Sequence, residues 1–259
     1  MPAYPSADKV TPLIIVGPPR SGTRFITNVL NEVPGVTVQG EIPVFIIDRV
    51  IRTVKRFQRM DVTAGPEKEL PDKFSLASKD FMFAVWANLQ KGKRREAGDD
   101  CRYFGYKTPY HEKYFDFYNT FFDPVQPIYI CCIRRFEDHL LSVQARWPGR
   151  GIAYVALRYI LSLRRIRLMK EKRPDRVLLF FLDDYKAQGS SYLHEKIFVP
   201  LELKDLRAAV KRAELGPVNT SVKHGCLRKD MLAGKQQLFL KLFPRPLQDF
   251  EALRRDYGR

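Results

Sequence analysis

Short runs of apolar residues alternate along this chain with longer stretches of helical periodicity. Three runs are continuously apolar, at 12–17, 127–133 and 177–182, which is typical of strands buried on both faces. Shorter strands are predicted at 36–38 and 103–106. Because strands and helices alternate, we predict an α/β fold with a P-loop-like parallel sheet covered by helices on both faces.

Apolar positions that recur every three to four residues place the helices. A helix is predicted directly after the first strand, with Phe25, Ile26, Val29 and Leu30 on one face. Further helices are expected at about 43–60, 75–91, 136–147 and 152–172, and from about 185 onwards around a loop at Pro217. Pro66 and Pro71 are expected to bracket a loop before the helix near 75.

Length and composition favour one folded domain. The chain has 259 residues, of which 45% are hydrophobic and 12% aromatic, so a disordered or low-complexity protein is excluded. It contains no internal repeat and no linker that would force a second unit. We therefore predict a single domain over 1–259, with a flexible N-terminus at 1–11.

Neither a membrane span nor a signal peptide is predicted. No stretch reaches the roughly 18 apolar residues of a membrane helix, and the first apolar run is too short for a signal peptide. Cys131 and Cys132 fall inside a predicted strand and are expected to be small core residues. No histidine–cysteine spacing suggests a zinc site. These observations favour a cytoplasmic protein.

The net charge is strongly positive. There are 45 Lys and Arg against 29 Asp and Glu, which gives +16. Such a surplus predicts an anionic partner: a phosphate-bearing or acidic substrate, a nucleic acid or an anionic membrane surface. The charge alone does not distinguish these partners, whereas the motifs do.

The turn between the first strand and its helix carries the strongest chemical signal. Gly17 and Gly22 have the Gly-x-x-x-x-Gly spacing of a loop whose backbone N–H groups, with a helix N-terminus, hold a phosphate. A kinase would carry a lysine where Thr23 stands, and the cation of this loop is Arg20 instead. The loop therefore favours a terminal phosphate with a transferring group beside it, and no metal.

A second cationic element follows the central apolar run. Arg134 leaves the strand predicted at 127–133 at its carboxyl end, where open α/β sheets bind ligands. Ser142 follows eight residues later, about two helical turns on. Its hydroxyl and the Arg134 guanidinium are therefore expected to meet the same phosphate.

Together the two elements resemble those of sulfotransferases that use 3′-phosphoadenosine 5′-phosphosulfate (PAPS). Residues 19–23 (Pro-Arg-Ser-Gly-Thr) resemble the family's 5′-phosphosulfate loop, and Arg134 with Ser142 resembles its 3′-phosphate site. The resemblance covers about 12–45 and 103–146. It implies PAPS as co-substrate, no metal requirement, and binding of the cofactor by Arg20, Ser21, Gly22, Thr23, Arg24, Arg134 and Ser142.

Within the family, the chain looks most like tyrosylprotein-sulfotransferase-like and related bacterial enzymes. Those enzymes have a catalytic glutamate in a Gly-Glu dipeptide and a lysine before a turn that contacts the transferring group. Glu41 stands twenty-one residues after Arg20, and Lys107 lies in Tyr-Lys-Thr-Pro at the corresponding place. The resemblance thus implies catalytic roles for Glu41, Arg20 and Lys107. His111 is the next candidate base because it follows the turn after Lys107.

The chain departs from the family pattern at three positions. Arg24 replaces a hydroxyl residue that contacts the 5′-phosphate, and Phe136 replaces the usual proline after the strand-end arginine. Tyr185 stands in a shifted register for an adenine contact. Residues 218–221 are similar to a loop that closes over the cofactor. The departures keep a non-catalytic member of the family open as an alternative.

Two other classes also stay open, and the acceptor cannot be read from the sequence. A P-loop kinase or nucleotide hydrolase would need the missing lysine and a magnesium carboxylate, whereas a nucleic-acid or membrane-surface binding protein would account for the charge without catalysis. Candidate acceptors are a glycan, a lipid-linked sugar, a small molecule and a peptide tyrosine. The aromatic residues between 103 and 118 are expected to be core rather than an acceptor pocket.

The helix at 152–172 carries cations at a spacing of seven: Arg158, Arg165 and Lys172. We expect a solvated face. Contact with an anionic glycan, a lipid-linked acceptor or a membrane headgroup layer is the alternative.

Overall fold

The computed structural model describes residues 5–6, 8–61, 70–89, 96–98, 100–204, 206–215 and 234–258. Its sheet contains β1 (Thr11–Val16), β2 (Val36–Gln39), β3 (Tyr103–Lys107), β4 (Ile128–Ile133) and β5 (Val177–Phe181). The strand order is β2-β3-β1-β4-β5, and every neighbouring pair is parallel. The predicted α/β fold with a parallel sheet is confirmed.

The α-helices of the described residues lie between these strands and after β5. They are α1 (Thr23–Leu30), α2 (Val44–Asp61), α3 (Leu70–Asn88), α4 (Phe115–Phe121), α5 (Phe136–Arg146), α6 (Ile152–Lys172), α7 (Leu182–Gln188), α8 (Ser190–Leu193), α9 (Leu206–Leu215), α10 (Gly234–Leu242) and α11 (Arg245–Tyr257). A 3₁₀ turn, His111–Tyr114, precedes α4, and a π-helical turn, His194–Phe198, follows α8.

The helix expected near 75–91 begins earlier than predicted, at Leu70. Pro71 was expected to belong to the preceding loop, but it lies in the first turn of α3. A proline is tolerated there because that N–H has no intrahelical partner. Pro66 and Pro217 lie outside the described residues. The helix predicted at 152–172 is confirmed at both ends.

Helices cover both faces of the sheet. α1 packs against β1, β2, β3 and α9, whereas α3 packs on β3 and α6 on β5 and α11. The chain runs from β1 outwards to β2 and then back across the sheet to β5. Because crossovers between parallel strands are right-handed, this reversal places α1 on the face opposite α3 and α6.

The core consists largely of the strands and the aromatic residues beside them. Every residue of β4 is buried, including the free thiols Cys131 and Cys132, as predicted. The rings of Phe104, Tyr106 and Tyr118 are fully buried, so these aromatic residues are core, as expected. No helix in the described ranges is long and apolar enough to cross a membrane.

The strand order locates the crevice where a ligand can bind. The chain leaves β1 towards β2 and leaves β4 towards β5, so the loops after these neighbouring strands run apart. Such a switch point, at the carboxyl ends of the strands, is where open α/β sheets bind ligands. The loops that follow β1 and β4 carry the two predicted motifs.

Candidate active site

The loop between β1 and α1 is held tightly against β4. Gly17 has a φ of 128°, and a Cβ there would lie 2.1 Å from the Cys132 carbonyl oxygen, so only glycine fits. The buried Ser21 hydroxyl lies 2.9 Å from the same oxygen. Ser21 therefore uses its side chain to fix the loop, and Gly22, with a φ of 97°, leads into α1.

Arg20 occupies the tip of this loop in a left-handed backbone conformation, with a φ of 69°. A residue with a Cβ seldom adopts this conformation, and the strain tends to be found at functional sites. Arg20 also connects the two predicted motifs. Its Nε donates to Ser142 Oγ at 3.0 Å, and its carbonyl oxygen lies 3.5 Å from Arg134 Nη1.

Arg134 carries an unsatisfied donor at this site. Its Nε is buried and has no hydrogen-bond partner among the described residues. A buried N–H of a charged group without an acceptor is costly, and a phosphate oxygen is the acceptor that a guanidinium binds most strongly. The neighbourhood of Arg20 and Arg134 is thus suited to a phosphate.

Positive charge accumulates around Arg20. Burial, and then the charges of Arg134, Arg146 and Arg24, lower the pKa of the Arg20 guanidinium. Like charges this close repel one another, and a bound anion would relieve that repulsion. Arg146 was not among the predicted site residues. It follows Ser142 by four residues on α5, a spacing that places two side chains on one helix face.

Two hydrogen bonds fix the residues that follow β4, one to α6 and one to α7. The Tyr159 hydroxyl donates to the Arg134 carbonyl oxygen at 2.6 Å, and the Arg135 N–H donates to Asp183 Oδ2 at 2.6 Å. Phe136 is fully buried, and its ring centroid lies 5.0 Å from that of Tyr159. Phe136, one of the departures from the family pattern, therefore packs against α6 beside the end of β4.

A glutamate and a lysine meet on the other side of the loop. β3 and β4 flank β1 on opposite sides, so Lys107, the last residue of β3, lies across the loop from Arg134. Lys107 Nζ is 2.5 Å from Glu41 Oε1, and the exposed fractions of the two side chains are 9% and 47%. Thr108 Oγ1 accepts the Ile42 N–H at 3.0 Å and fixes the chain beside Glu41. The carboxylate is thus ion-paired and still open to a substrate.

Three further predictions concern His111, Tyr185 and residues 218–221. His111 is buried, its Nδ1 is 3.0 Å from the Tyr106 hydroxyl oxygen, and burial lowers its pKa to about 3. Its ring is therefore neutral and shielded from solvent. Tyr185 packs against Phe25, with 4.7 Å between ring centroids. Residues 218–221 lie outside the described ranges.

The described residues hold no group of three or more His, Cys, Asp or Glu side chains that could bind a metal. The charged side chains that converge at the crevice are cations, with Glu41 as the acid paired to one of them.

The sheet, the glycine-bounded loop and the cations around it define an α/β protein in which arginine side chains converge at the β1–β4 switch point. A model of the sulfotransferase family matches residues 12–152, more than half of the chain. The chain belongs to this family, and the family predicted from the two motifs is confirmed. No curated protein sequence matches the chain.

A solved sulfotransferase domain shares its fold, and two further sulfotransferase structures are similar to the chain. The sulfotransferase domain of the olefin synthase from Synechococcus PCC 7002 is 16% identical, with 97% of each chain covered and a TM-score of 0.55. Sulfotransferase STF9 from Mycobacterium avium is 14% identical, with 93% of this chain and 76% of that chain covered and a TM-score of 0.48. Mouse sulfotransferase SULT7A1, complexed with PAP, is 12% identical, with 96% and 85% covered and a TM-score of 0.47.

Proposed function

We propose that this chain transfers the sulfuryl group of PAPS to an acceptor hydroxyl, with Glu41 as the base. One observation carries the proposal: two chemically different halves of a site flank the same loop. The arginines around Arg20 lie on the β4 side, and the Glu41–Lys107 pair lies on the β3 side. The first half suits a nucleotide with several phosphates, and the second suits a hydroxyl that has to lose a proton.

The nucleotide would be held by its two phosphate ends. Arg134 and Ser142 bind the 3′-phosphate, and the unsatisfied Nε of Arg134 donates to it. The 5′-phosphosulfate meets Arg20, Thr23 and the backbone N–H groups from Ser21 to Gly22 at the N-terminus of α1. Arg24, exposed in the first turn of α1, adds a charge where a hydroxyl is usual.

Transfer follows from this placement as an in-line displacement. Glu41 takes the proton of the acceptor hydroxyl while its oxygen attacks the sulfur. The bond from sulfur to the bridging oxygen breaks, and its electron pair stays on the 5′-phosphate of the departing 3′-phosphoadenosine 5′-phosphate (PAP). Arg20, Lys107 and the loop N–H groups stabilise the charge that develops on the bridging oxygen.

The acceptor would approach beside the start of α2. Val44 and Phe45 follow Glu41 closely and are exposed, Phe45 by 65%. An acceptor whose hydroxyl reaches Glu41 would therefore rest part of its body on an apolar surface. This suits a lipid-linked or aromatic hydroxyl better than a fully polar one.

Replacing Arg134 by alanine should remove the selection of PAP over AMP. A charge-assisted contact to a phosphate contributes about 1.5–3 kcal/mol, so PAP affinity should fall by roughly ten- to a hundred-fold while AMP affinity stays unchanged. Isothermal titration of each nucleotide measures both. Arg135→Ala is the matched control, because the neighbouring side chain pairs with Glu137 and its backbone contact to Asp183 is retained. An equal loss for both nucleotides would remove Arg134 from the 3′-phosphate site.

A further inference from the structure

The outer side of α6 carries a stripe of exposed apolar side chains. The inner side of the helix is buried through residues such as Val155, Tyr159 and Leu163. On the opposite side, four apolar side chains share one helix face, and each of them is 40–57% exposed: Tyr154, Leu157, Leu161 and Leu168. The last three follow Tyr154 by three, seven and fourteen residues. A run of exposed apolar side chains on one helix face marks an interaction surface.

Cations run along both edges of this stripe. Arg158, Arg165 and Lys172 form a row with a spacing of seven on one edge, and Arg164 lies on the other. Arg165 has no ion-pair partner in the described part of the chain. Basic side chains therefore dominate the surroundings of this face.

The acids that face these cations come from three helices and from the 3₁₀ turn before α4, whose buried Glu112 interacts with the charges of Arg158 and Arg165. Asp249 of α11 lies 3.9 Å from Arg164, Asp116 of α4 lies 2.8 Å from Lys172, and Glu171 lies on α6 itself. Ion pairs at an exposed surface contribute little free energy and exchange readily for other anions. The face as a whole remains positive.

We infer that this face of α6 binds an anionic phospholipid surface. Apolar side chains flanked by Lys and Arg are the pattern of a helix that lies in the membrane interface, where the apolar residues enter the acyl boundary and the cations meet phosphates. A second copy of the chain is disfavoured because pairing through this stripe would bring the same row of cations together. The net charge of +16 adds a general attraction to the same surface.

The exposed face of α6 lies close to the candidate active site. The Arg158 guanidinium stacks over Tyr110, 4.2 Å from the ring centroid. Tyr110 ends the turn after Lys107, and its N–H donates to the Gly17 carbonyl oxygen at 3.1 Å. A bilayer on α6 therefore lies near the β3 side of the crevice. Delivery of a membrane-bound acceptor there rests on the proposed function, whereas the lipid contact itself does not.

Vesicle co-sedimentation of the full chain tests the inference. The wild-type chain should bind vesicles of phosphatidylcholine with about one-third phosphatidylglycerol at least tenfold more tightly than vesicles of phosphatidylcholine alone. The double variant Leu157→Ser/Leu161→Ser should lose about tenfold or more of that affinity, because two apolar side chains no longer enter the interface. Val199→Ser, which alters a side chain of similar exposure outside α6, should bind as wild type does.

A charge reversal separates the lipid contact from other causes. Arg165→Glu should also weaken binding to the anionic vesicles about tenfold. Each variant should keep the wild-type affinity for PAP, so a failure of the lipid contact is distinct from a failure of the proposed function. Equal binding of wild type and both α6 variants would overturn the inference. So would a dimer in sedimentation equilibrium that the double variant abolishes, because a second copy would then cover the stripe.

Discussion

Replacing Glu41 by glutamine should lower turnover by about a hundred- to ten-thousand-fold while nucleotide affinity stays close to that of the wild type. Glutamine keeps the size and polarity of the side chain but cannot take the acceptor proton. The amide also cannot form the ion pair with Lys107. Transfer of label from radiolabelled PAPS to an acceptor found by screening measures turnover, and titration with PAP measures nucleotide binding.

Glu32 provides the matched control for this substitution. It also pairs with a cation, Arg212, at 3.2 Å, and its side chain is partly exposed. It follows α1, away from the carboxyl ends of the strands, so Glu32→Gln should leave turnover unchanged. Near-normal turnover of Glu41→Gln would assign the proton transfer to another group. The buried, hydrogen-bonded ring of His111 is poorly placed to be that group.

Removing the Arg20 side chain should nearly abolish transfer. The guanidinium is the cation of the loop itself, and the loss of one preorganised donor to a developing charge typically costs about a hundred- to a thousand-fold in rate. Arg20→Gly is the informative variant beside Arg20→Ala, because glycine accepts the φ of 69° without strain. If both variants are equally inactive and remain folded, the loss belongs to the side chain and not to the backbone.

The same assay distinguishes the chain from a kinase. Because the loop lacks the lysine after Gly22, and Arg134 stands at the end of β4, the charge on the departing phosphate should be balanced by side chains and N–H groups. Turnover with PAPS should therefore continue in excess EDTA. Arg102 precedes the amino end of β3 and lies at the end of the strands opposite to the crevice, so Arg102→Ala should behave as wild type. Loss of turnover in EDTA that Mg²⁺ restores would contradict this account.

Local sequence patterns were sufficient to predict most elements of the fold. The apolar runs of β1, β4 and β5 are buried on both faces, and the stripe of α6 repeats over more than five turns, so both signals are strong. The order of the strands was not predictable in this way, because pairing joins segments far apart, such as β2 with β3. The start of α3 was also missed, since a proline in the first turn looks like a loop signal.

In the candidate site, too, local features were predictable from the sequence and long-range contacts were not. The glycines and Arg20 were identifiable because their spacing is local, and Glu41 and Lys107 through the family resemblance. Contacts across the sheet were not identifiable: neither the bond from Arg20 to Ser142 nor the inward turn of the Ser21 hydroxyl leaves a mark in the sequence. The single-domain organisation, the cytoplasmic location and the roles of the individual site residues stay predictions.

Isothermal titration of the wild-type chain with PAP and with AMP, in excess EDTA, tests the central claim most directly. The two nucleotides differ only in the 3′-phosphate, which Arg134 and Ser142 are proposed to bind. The account predicts that PAP binds at least roughly tenfold more tightly than AMP, and without a metal. Equal affinities, or binding that requires Mg²⁺, would contradict it.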